Sequence, residues 1–267
     1  MRLKNKVILV TGSTTGIGKA IAKRCVQEGA QVILHGLEAD LGAAALAEIG
    51  STQAVLHLED LTTEGCPQRL VALALQRFGR LDGIVNNAAL VAQGNLQNTE
   101  AAFFRKILEV NTLAPFLLIQ AALPHLEKTR GVVLNIGSVN AYSGEPNLLP
   151  YSVSKGALTT LTRNLGDTLH RLHGVRVNQI NPGWVLTENE IQRKRDHGLS
   201  DDWYAHLPRV YAPAGRLITP DEIAAAAIYW LADEAGPISG SVVELEQHPF
   251  IGRNPPKDPE NLPPVRR

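Results

Sequence analysis

The sequence predicts an α/β protein, a doubly wound parallel sheet of about seven strands with helices on both faces. Three observations predict it. Short apolar runs bounded by turn residues, such as Val7-Ile-Leu-Val before Thr11-Gly12, suit strands buried on both faces. Stretches of helical periodicity alternate with them, which implies right-handed crossovers between parallel strands. The polar signatures all fall just past the carboxyl ends of the strands, where such sheets bind ligands.

After the first strand a glycine turn, Thr11-Gly12-Ser13-Thr14-Thr15-Gly16-Ile17-Gly18, runs into a helix that ends near Gly29. Strand, glycine turn and helix together offer unpaired N–H groups and a helix N-terminus to a pyrophosphate. Gln31-Val-Ile-Leu-His-Gly is the second strand, followed by helix from Leu37 to Ile49. Ala54-Val-Leu-His-Leu leads as a third strand to Glu59-Asp60-Leu61, and Leu70 to Phe78 is helix again. The fourth strand, from Leu81, runs into Asn86-Asn87-Ala88-Ala89. Thr99 to Leu126 reads as one long helix with Asn111 inside its apolar stripe, where an Asn must be hydrogen-bonded or bend the helix; Pro115 supports a kink. Gly131-Val-Val-Leu-Asn-Ile is the fifth strand, Val175 to Asn181 the sixth, broken by Pro182-Gly183, and Ser241-Val-Val-Glu-Leu-Glu the last. Thr219-Pro220-Asp221-Glu222 caps a final helix.

At 267 residues, 44% of them hydrophobic, the chain can bury one large core. One domain is expected over 1–248, with an irregular lid at about 184–213 and a Pro-rich tail at 249–267. Lys plus Arg and Asp plus Glu balance at 26 each, so no global field favours nucleic acid or an anionic membrane. A small-molecule substrate fits better. The amino terminus holds no run long enough for a signal segment or a span, and a cytoplasmic protein is expected. Cys25 and Cys66 read as reduced, structural thiols, and no metal is expected.

The stretch Asn135 to Ala157 carries the chemistry. Ser138 emerges at the carboxyl edge of the sheet. Pro150 opens a helix on which Tyr151 and Lys155 share a face. A phenol with a pKa near 10 is a poor base at neutral pH, and the Lys155 ammonium is expected to lower it. Ser138 can donate to the same substrate oxygen.

Taken together, Thr11-Gly12-x-x-x-Gly16-Ile17-Gly18, Asn86-Asn87-Ala88, Asn111, Ser138, Tyr151-x-x-x-Lys155 and Pro182-Gly183 resemble the short-chain dehydrogenase/reductase family over roughly residues 3 to 246. The resemblance implies a Rossmann-type fold and a catalytic tetrad of Asn111, Ser138, Tyr151 and Lys155. Tyr151 would exchange a proton with the substrate oxygen during hydride transfer, Lys155 would also bind the nicotinamide ribose, and Asn111 would hold a water in a proton relay. Gly12, Gly16, Ile17 and Gly18 would line the pyrophosphate. Asp60 and Leu61 would bracket the adenine, Asn87 would contact the adenosine side, and Val185 and Thr187 would fix the carboxamide. Ser13, Thr15, Gly36, Leu37, Ala88, Ala89, Pro182 and Gly183 complete the cofactor set that the resemblance implies. A homo-oligomer, tetramer or dimer, is implied as well.

The second strand ends at Gly36 and Leu37, with neither an acid to hold ribose hydroxyls nor an Arg to pair with a 2′-phosphate. Lacking a cation there or in Ser13-Thr14-Thr15, the chain is expected to prefer NAD to NADP. Pro182-Gly183-Trp184-Val185 and Gly36 are similar to 3-hydroxybutyrate dehydrogenases and gluconate 5-dehydrogenases. Asn140 and Leu148 stand where the former carry their carboxylate-binding His and Lys. Asn140, Tyr142, Glu145, Asn147 and Trp184 instead suit a polyhydroxylated substrate, with Ser138 and Tyr151 at its reacting oxygen. The expected activity is oxidation of a secondary alcohol, or the reverse, on a sugar, polyol or sugar acid. A small hydroxy-acid dehydrogenase, a silent nucleotide-binding regulator, and a dehydratase or epimerase on the same fold are the alternatives. Arg193-Lys194-Arg195 reads either as a solvated helix face or as an attractor for an acid group. Two departures from the family stand out: Glu246-Gln247-His248 where it usually has Asp-Gly-Gly, and the tail, expected to cross onto a neighbouring copy.

Overall fold

The structure, a computed structural model, describes residues 1–249. The rest of the Pro-rich tail, with the role expected for it, lies outside the described residues. Seven parallel strands form one sheet in the order β3-β2-β1-β4-β5-β6-β7: β1 Val7–Val10, β2 Gln31–Gly36, β3 Ala54–Leu58, β4 Gly83–Asn86, β5 Val132–Ile136, β6 Arg176–Pro182 and β7 Val242–Leu245. The order reverses between β1 and β4, and the crevice at that reversal is where a dinucleotide seats in this topology.

The strands are apolar throughout because alternate residues feed two cores. In β1, Ile8 and Val10 pack into one core, against α1 (Gly16–Gln27) and α9 (Pro220–Leu231). Val7 and Leu9 pack into the other, against α3 (Cys66–Phe78) and α5 (Ala114–Thr129). The same division separates Val132 and Leu134 from Val133 in β5. Between β2 and β3 lies α2, Ala39–Ile49, starting two residues later than the sequence predicts. Cys25 and Cys66 are buried free thiols in the two cores.

The long helix expected over Thr99 to Leu126 has three parts. It begins as α4 (Ala101–Leu108), widens into a π turn at Glu109–Leu113, and continues as α5. The break is therefore at Asn111, and Pro115 follows it in the first turn of α5, so the widened turn lies where the proline has no N–H to give to the ladder. By length and composition this helix could cross a membrane; Leu118, Ile119, Ala122 and Leu126 instead pack with Ile84 and Val133. After β5 come the short α6 (Asn140–Ser143) and the 25-residue α7 (Leu149–His173).

The segment expected as an irregular lid, 184–213, is not irregular. It contains α8 (Glu188–Asp196), capped by Thr187, and a 3-10 turn at Trp203–His206. Its base is closed by backbone pairing: Leu186 N–H donates to the Ile218 carbonyl at 2.8 Å, and Ile218 N–H to Trp184 at 3.2 Å.

Candidate active site

A polar ladder crosses the buried sheet toward Ser138. Asn86 Nδ2 donates to Asn135 Oδ1 at 2.8 Å, Asn135 Nδ2 to Thr162 Oγ1 at 2.8 Å, and Thr162 Oγ1 to Gln179 Oε1 at 2.7 Å. Gln179 Nε2 donates to Asn181 Oδ1 at 2.7 Å, and the same oxygen accepts the Ser138 N–H at 3.1 Å. Asn135, Gln179 and Asn181 are fully buried, and this chain of partners removes the cost of placing amides there. Gly137 is required beside it, since a Cβ would stand 1.9 Å from Asn181 Oδ1.

Ser138 is brought to Tyr151 by this ladder and by α7, whose first turn holds Pro150. The Ser138 hydroxyl also accepts the Asn140 N–H at 3.2 Å. One turn along α7, Lys155 is 2% exposed, its Nζ lies 5.7 Å from the Tyr151 ring centroid, and it donates to the Ile136 carbonyl at 2.7 Å. The sequence predicts that Lys155 lowers the Tyr151 pKa. The structure gives a different balance: burial dominates and pushes the phenol up, opposed by the hydrogen bond with Ser138 and by the charge of Arg193 from the lid. Burial also pulls Lys155 down to about 8. Two groups taken from water each favour their neutral forms.

Asn111 joins this group from the π turn. Its Oδ1 accepts the Leu90 N–H at 2.7 Å, and its Nδ2 donates to the Leu90 carbonyl at 3.1 Å and to Ser154 Oγ at 2.9 Å. Ser154 Oγ in turn donates to the Tyr151 carbonyl at 2.6 Å. The widened turn thus ties the loop after β4 to the start of α7.

The glycine turn is built for close approach. Gly12 and Gly16 have φ of 60° and 53°, and a Cβ on Gly18 would meet Gly12 O at 2.2 Å. Asn87 Nδ2 pins the turn by donating to the Thr11 and Gly12 carbonyls at 3.0 and 2.9 Å. Gly16 N–H, at the start of α1, donates to Glu188 Oε2 at 3.2 Å, so this helix end already attracts an anion. These features fit a pyrophosphate. Gly36 at the end of β2 packs so tightly on Thr14 that a Cβ would lie 2.4 Å from its Cγ2, and Leu37 is 59% exposed beside it. Beneath the turn, buried His35 accepts the Gly12 N–H at 3.3 Å and donates to the Glu59 carbonyl at 2.8 Å. Asp60 holds Thr62 N and Oγ1, each at 2.8 Å, next to buried Leu61.

Trp184, directly after Gly183, stacks on Trp203 at 5.4 Å and donates to the buried Glu190 at 2.9 Å. Glu190 also pairs with Arg193, and Lys194 Nζ lies 5.2 Å over the Trp184 ring. The first two basic residues of the run, both half-buried, therefore turn toward Glu190 and Trp184, while Arg195 pairs outward with Asp201 at 2.7 Å. Val185 is buried and Thr187 Cγ2 would lie 3.3 Å from a Cβ on Gly16, so the segment after β6 borders the glycine turn. The sequence reading missed Asn181, Gln179 and Ser154. Polar residues in strands otherwise buried on both faces are the signal that marks the first two.

Residues 12–246 match the family described as enoyl-(acyl carrier protein) reductase. L-fucose dehydrogenase of Mus musculus is 41% identical over 236 residues, 88% of this chain and 84% of that protein. 2-(S)-Hydroxypropyl-CoM dehydrogenase 3 of Xanthobacter autotrophicus is 36% identical over 248 residues, covering 92% and 96%. The solved structure of levodione reductase superposes with a TM-score of 0.83 at 28% identity, over 91% of this chain and 96% of that one. Fold, site and relatives agree: the chain belongs to the short-chain dehydrogenase/reductase family. It is an oxidoreductase of that family, whose dehydrogenases use NAD or NADP.

Proposed function

We propose that this oxidoreductase interconverts a secondary alcohol and a ketone on a sugar, polyol or sugar acid, with Tyr151 as general acid and base. The observation that carries the reading is the meeting of the Ser138 hydroxyl, the Tyr151 phenol and the buried Lys155 at the carboxyl edge of β5, beside a turn that only glycines can make. The nicotinamide supplies the hydride acceptor or donor when bound. Ser138 donates to the substrate oxygen and orients it, and Tyr151 takes or returns the proton on that oxygen. The hydrogen bond with Ser138 and the charge of Arg193 oppose the effect of burial on the phenol, whose ring centroid lies 5.7 Å from the amine of Lys155. With one N–H on Ile136, its other donors suit ribose hydroxyls. Asn111 holds the loop at Leu90 and the first turn of α7 in register, and a water beside it would extend a proton path to Lys155.

A polyhydroxylated substrate is favoured by Asn140, whose N–H meets Ser138 Oγ at 3.2 Å, and by the 41% identity to an L-fucose dehydrogenase. NAD is preferred over NADP in this reading, since Gly36, Leu37 and the Ser13-Thr14-Thr15 turn offer no cation to a 2′-phosphate. In this reading the protein is cytoplasmic and works as a dimer or tetramer; the exposed apolar Leu113, Phe116 and Val153 support the association.

The test is absorbance of reduced nicotinamide with NAD and NADP across L-fucose, other sugars, polyols, sugar acids and hydroxy acids. Wild type is expected to turn over a polyhydroxylated alcohol, and Tyr151→Phe to lose turnover while keeping NADH affinity. Undiminished activity in Tyr151→Phe, or no dinucleotide uptake by the wild type, overturns the reading.

A further inference from the structure

The residues that depart from the family pattern at the end of β7 lie against both ends of the lid. Glu246 Oε2 accepts the Trp184 N–H at 3.2 Å, and Glu246 Oε1 accepts the Gln247 N–H at 2.7 Å. Gly183 has no room for a side chain under this carboxylate, because a Cβ would stand 1.8 Å from Glu246 Oε2. Gln247 reaches the returning end of the lid, where its Oε1 accepts the Ala214 N–H at 2.9 Å and its Nε2 donates to the Arg216 carbonyl at 2.7 Å. Arg216 is itself held by Glu222 in the first turn of α9, at 2.7 and 2.9 Å. Two adjacent side chains thus fasten the outgoing and returning strands of one loop; position 246 keeps a carboxylate where the family has Asp, whereas a glycine at 247 would offer no side-chain bond to Ala214 or Arg216.

We propose that Glu246 and Gln247 are positioning residues that set where residues 183–187 stand, and through them the nicotinamide half of the cofactor site. The proposal rests on the dinucleotide-binding reading above. Its physical basis is the direction of the Gly183–Trp184 peptide. Glu246 holds that N–H, the pairing of Leu186 with Ile218 holds the next turn, and the backbone of Val185 and Thr187 runs between and beside these two anchors. The adenosine is held elsewhere, by β2 and the loop after β3, and Glu246 and Gln247 reach the glycine turn only indirectly, through Thr187 beside Gly16.

That separation makes the test. NADH and ADP-ribose share the adenosine and pyrophosphate, and only NADH carries the nicotinamide. Titrations of wild type, Glu246→Ala, Gln247→Ala and Glu246→Gln with both ligands give two affinities per protein. In Glu246→Ala, loss of one charge-assisted hydrogen bond is expected to weaken NADH about tenfold and leave ADP-ribose unchanged. Gln247→Ala is expected to move the same way by a smaller factor. Glu246→Gln keeps an oxygen for the Trp184 N–H in the same volume, and is expected to restore NADH binding. A merely structural role would weaken both ligands together, and that outcome, or unchanged NADH binding in Glu246→Ala, overturns the proposal. If Glu246→Ala folds poorly, Gln247→Ala and Glu246→Gln carry the comparison, and equal weakening of both ligands in Gln247→Ala is then the refuting result. Failure of the cofactor reading is distinguishable: the wild type would bind neither ligand.

Discussion

Asn181 Oδ1, on β6, accepts the backbone N–H of Ser138 at 3.1 Å, so the proposed substrate-orienting hydroxyl is placed from the neighbouring strand. The same oxygen accepts from Gln179, and Asn181 Nδ2 donates to the Tyr142 hydroxyl at 3.1 Å. Ser138 therefore depends on a fully buried side chain that meets no substrate. Asn181→Ala leaves the Ser138 N–H and Gln179 Nε2 without their acceptor, and is expected to cost about 2–3 kcal/mol of stability. Turnover is expected to fall about tenfold with NADH affinity kept, if the hydroxyl drifts by a fraction of an ångström. Urea unfolding and steady-state rates on the same preparation check both; wild-type behaviour in either would mean that β6 does not set the serine.

This dependence also marks how far the sequence could be read. Strand order, the glycine turn and the α7 pair follow from local patterns: continuous apolar runs, glycine spacing, a proline before Tyr151. The ladder from Asn86 to Asn181 joins residues of three strands and α7, and no local pattern states which amide faces which. The Tyr151 balance is not legible in the sequence for a related reason. Spacing on one helix reveals the neighbouring amine, whereas desolvation depends on everything packed around the pair. Likewise Glu246 and Gln247 read as departures until their contacts with Trp184, Ala214 and Arg216 gave them work.

Lys155 is expected to be held at a cost to stability. Its folded pKa is about 8 against an ordinary 10.5, so between those values the unfolded chain binds more protons and stability rises with pH. Below pH 8 the folded protein carries a buried charge. Lys155→Met removes that charge in a similar volume, and is expected to raise stability at neutral pH by ~1–2 kcal/mol after the lost bond to Ile136 is counted. It should flatten the rise above pH 8 and abolish turnover. Thermal melts from pH 7 to 10 would sink the idea if the variant melted lower throughout.

His35 acts in the same sense at the acid end. Burial holds its pKa at about 4, below the ordinary 6.5, and its neutral ring accepts from Gly12 and donates to Glu59. The folded state resists protonation, so the stability it contributes is complete above pH 6.5 and disappears as pH falls through 4. His35→Gln can make similar bonds without titrating. It is expected to lose about 2–3 kcal/mol less than wild type between pH 6.5 and 4. Parallel denaturation curves for the two proteins across that range would argue against His35 as the group responsible.

Two glycine-to-alanine changes of equal size are expected to act in opposite directions. On Gly18 a Cβ would meet Gly12 O at 2.2 Å and Asn87 Nδ2 at 2.4 Å, and the first of these is backbone that cannot step aside without unmaking the turn. Gly18→Ala also pushes apart the Asn87 bonds to Thr11 and Gly12, so a loss of about 2–4 kcal/mol is expected. ADP-ribose affinity should fall at least about a hundredfold, because the N–H groups no longer converge. Gly156, next to Lys155 inside α7, faces nothing nearer than the Ala141 carbonyl at 3.5 Å, an ordinary contact. Gly156→Ala is expected to gain about 0.5–1 kcal/mol from helix propensity alone, with ligand affinity unchanged. If Gly18→Ala bound ADP-ribose as well as Gly156→Ala does, the glycine turn would not be the pyrophosphate seat.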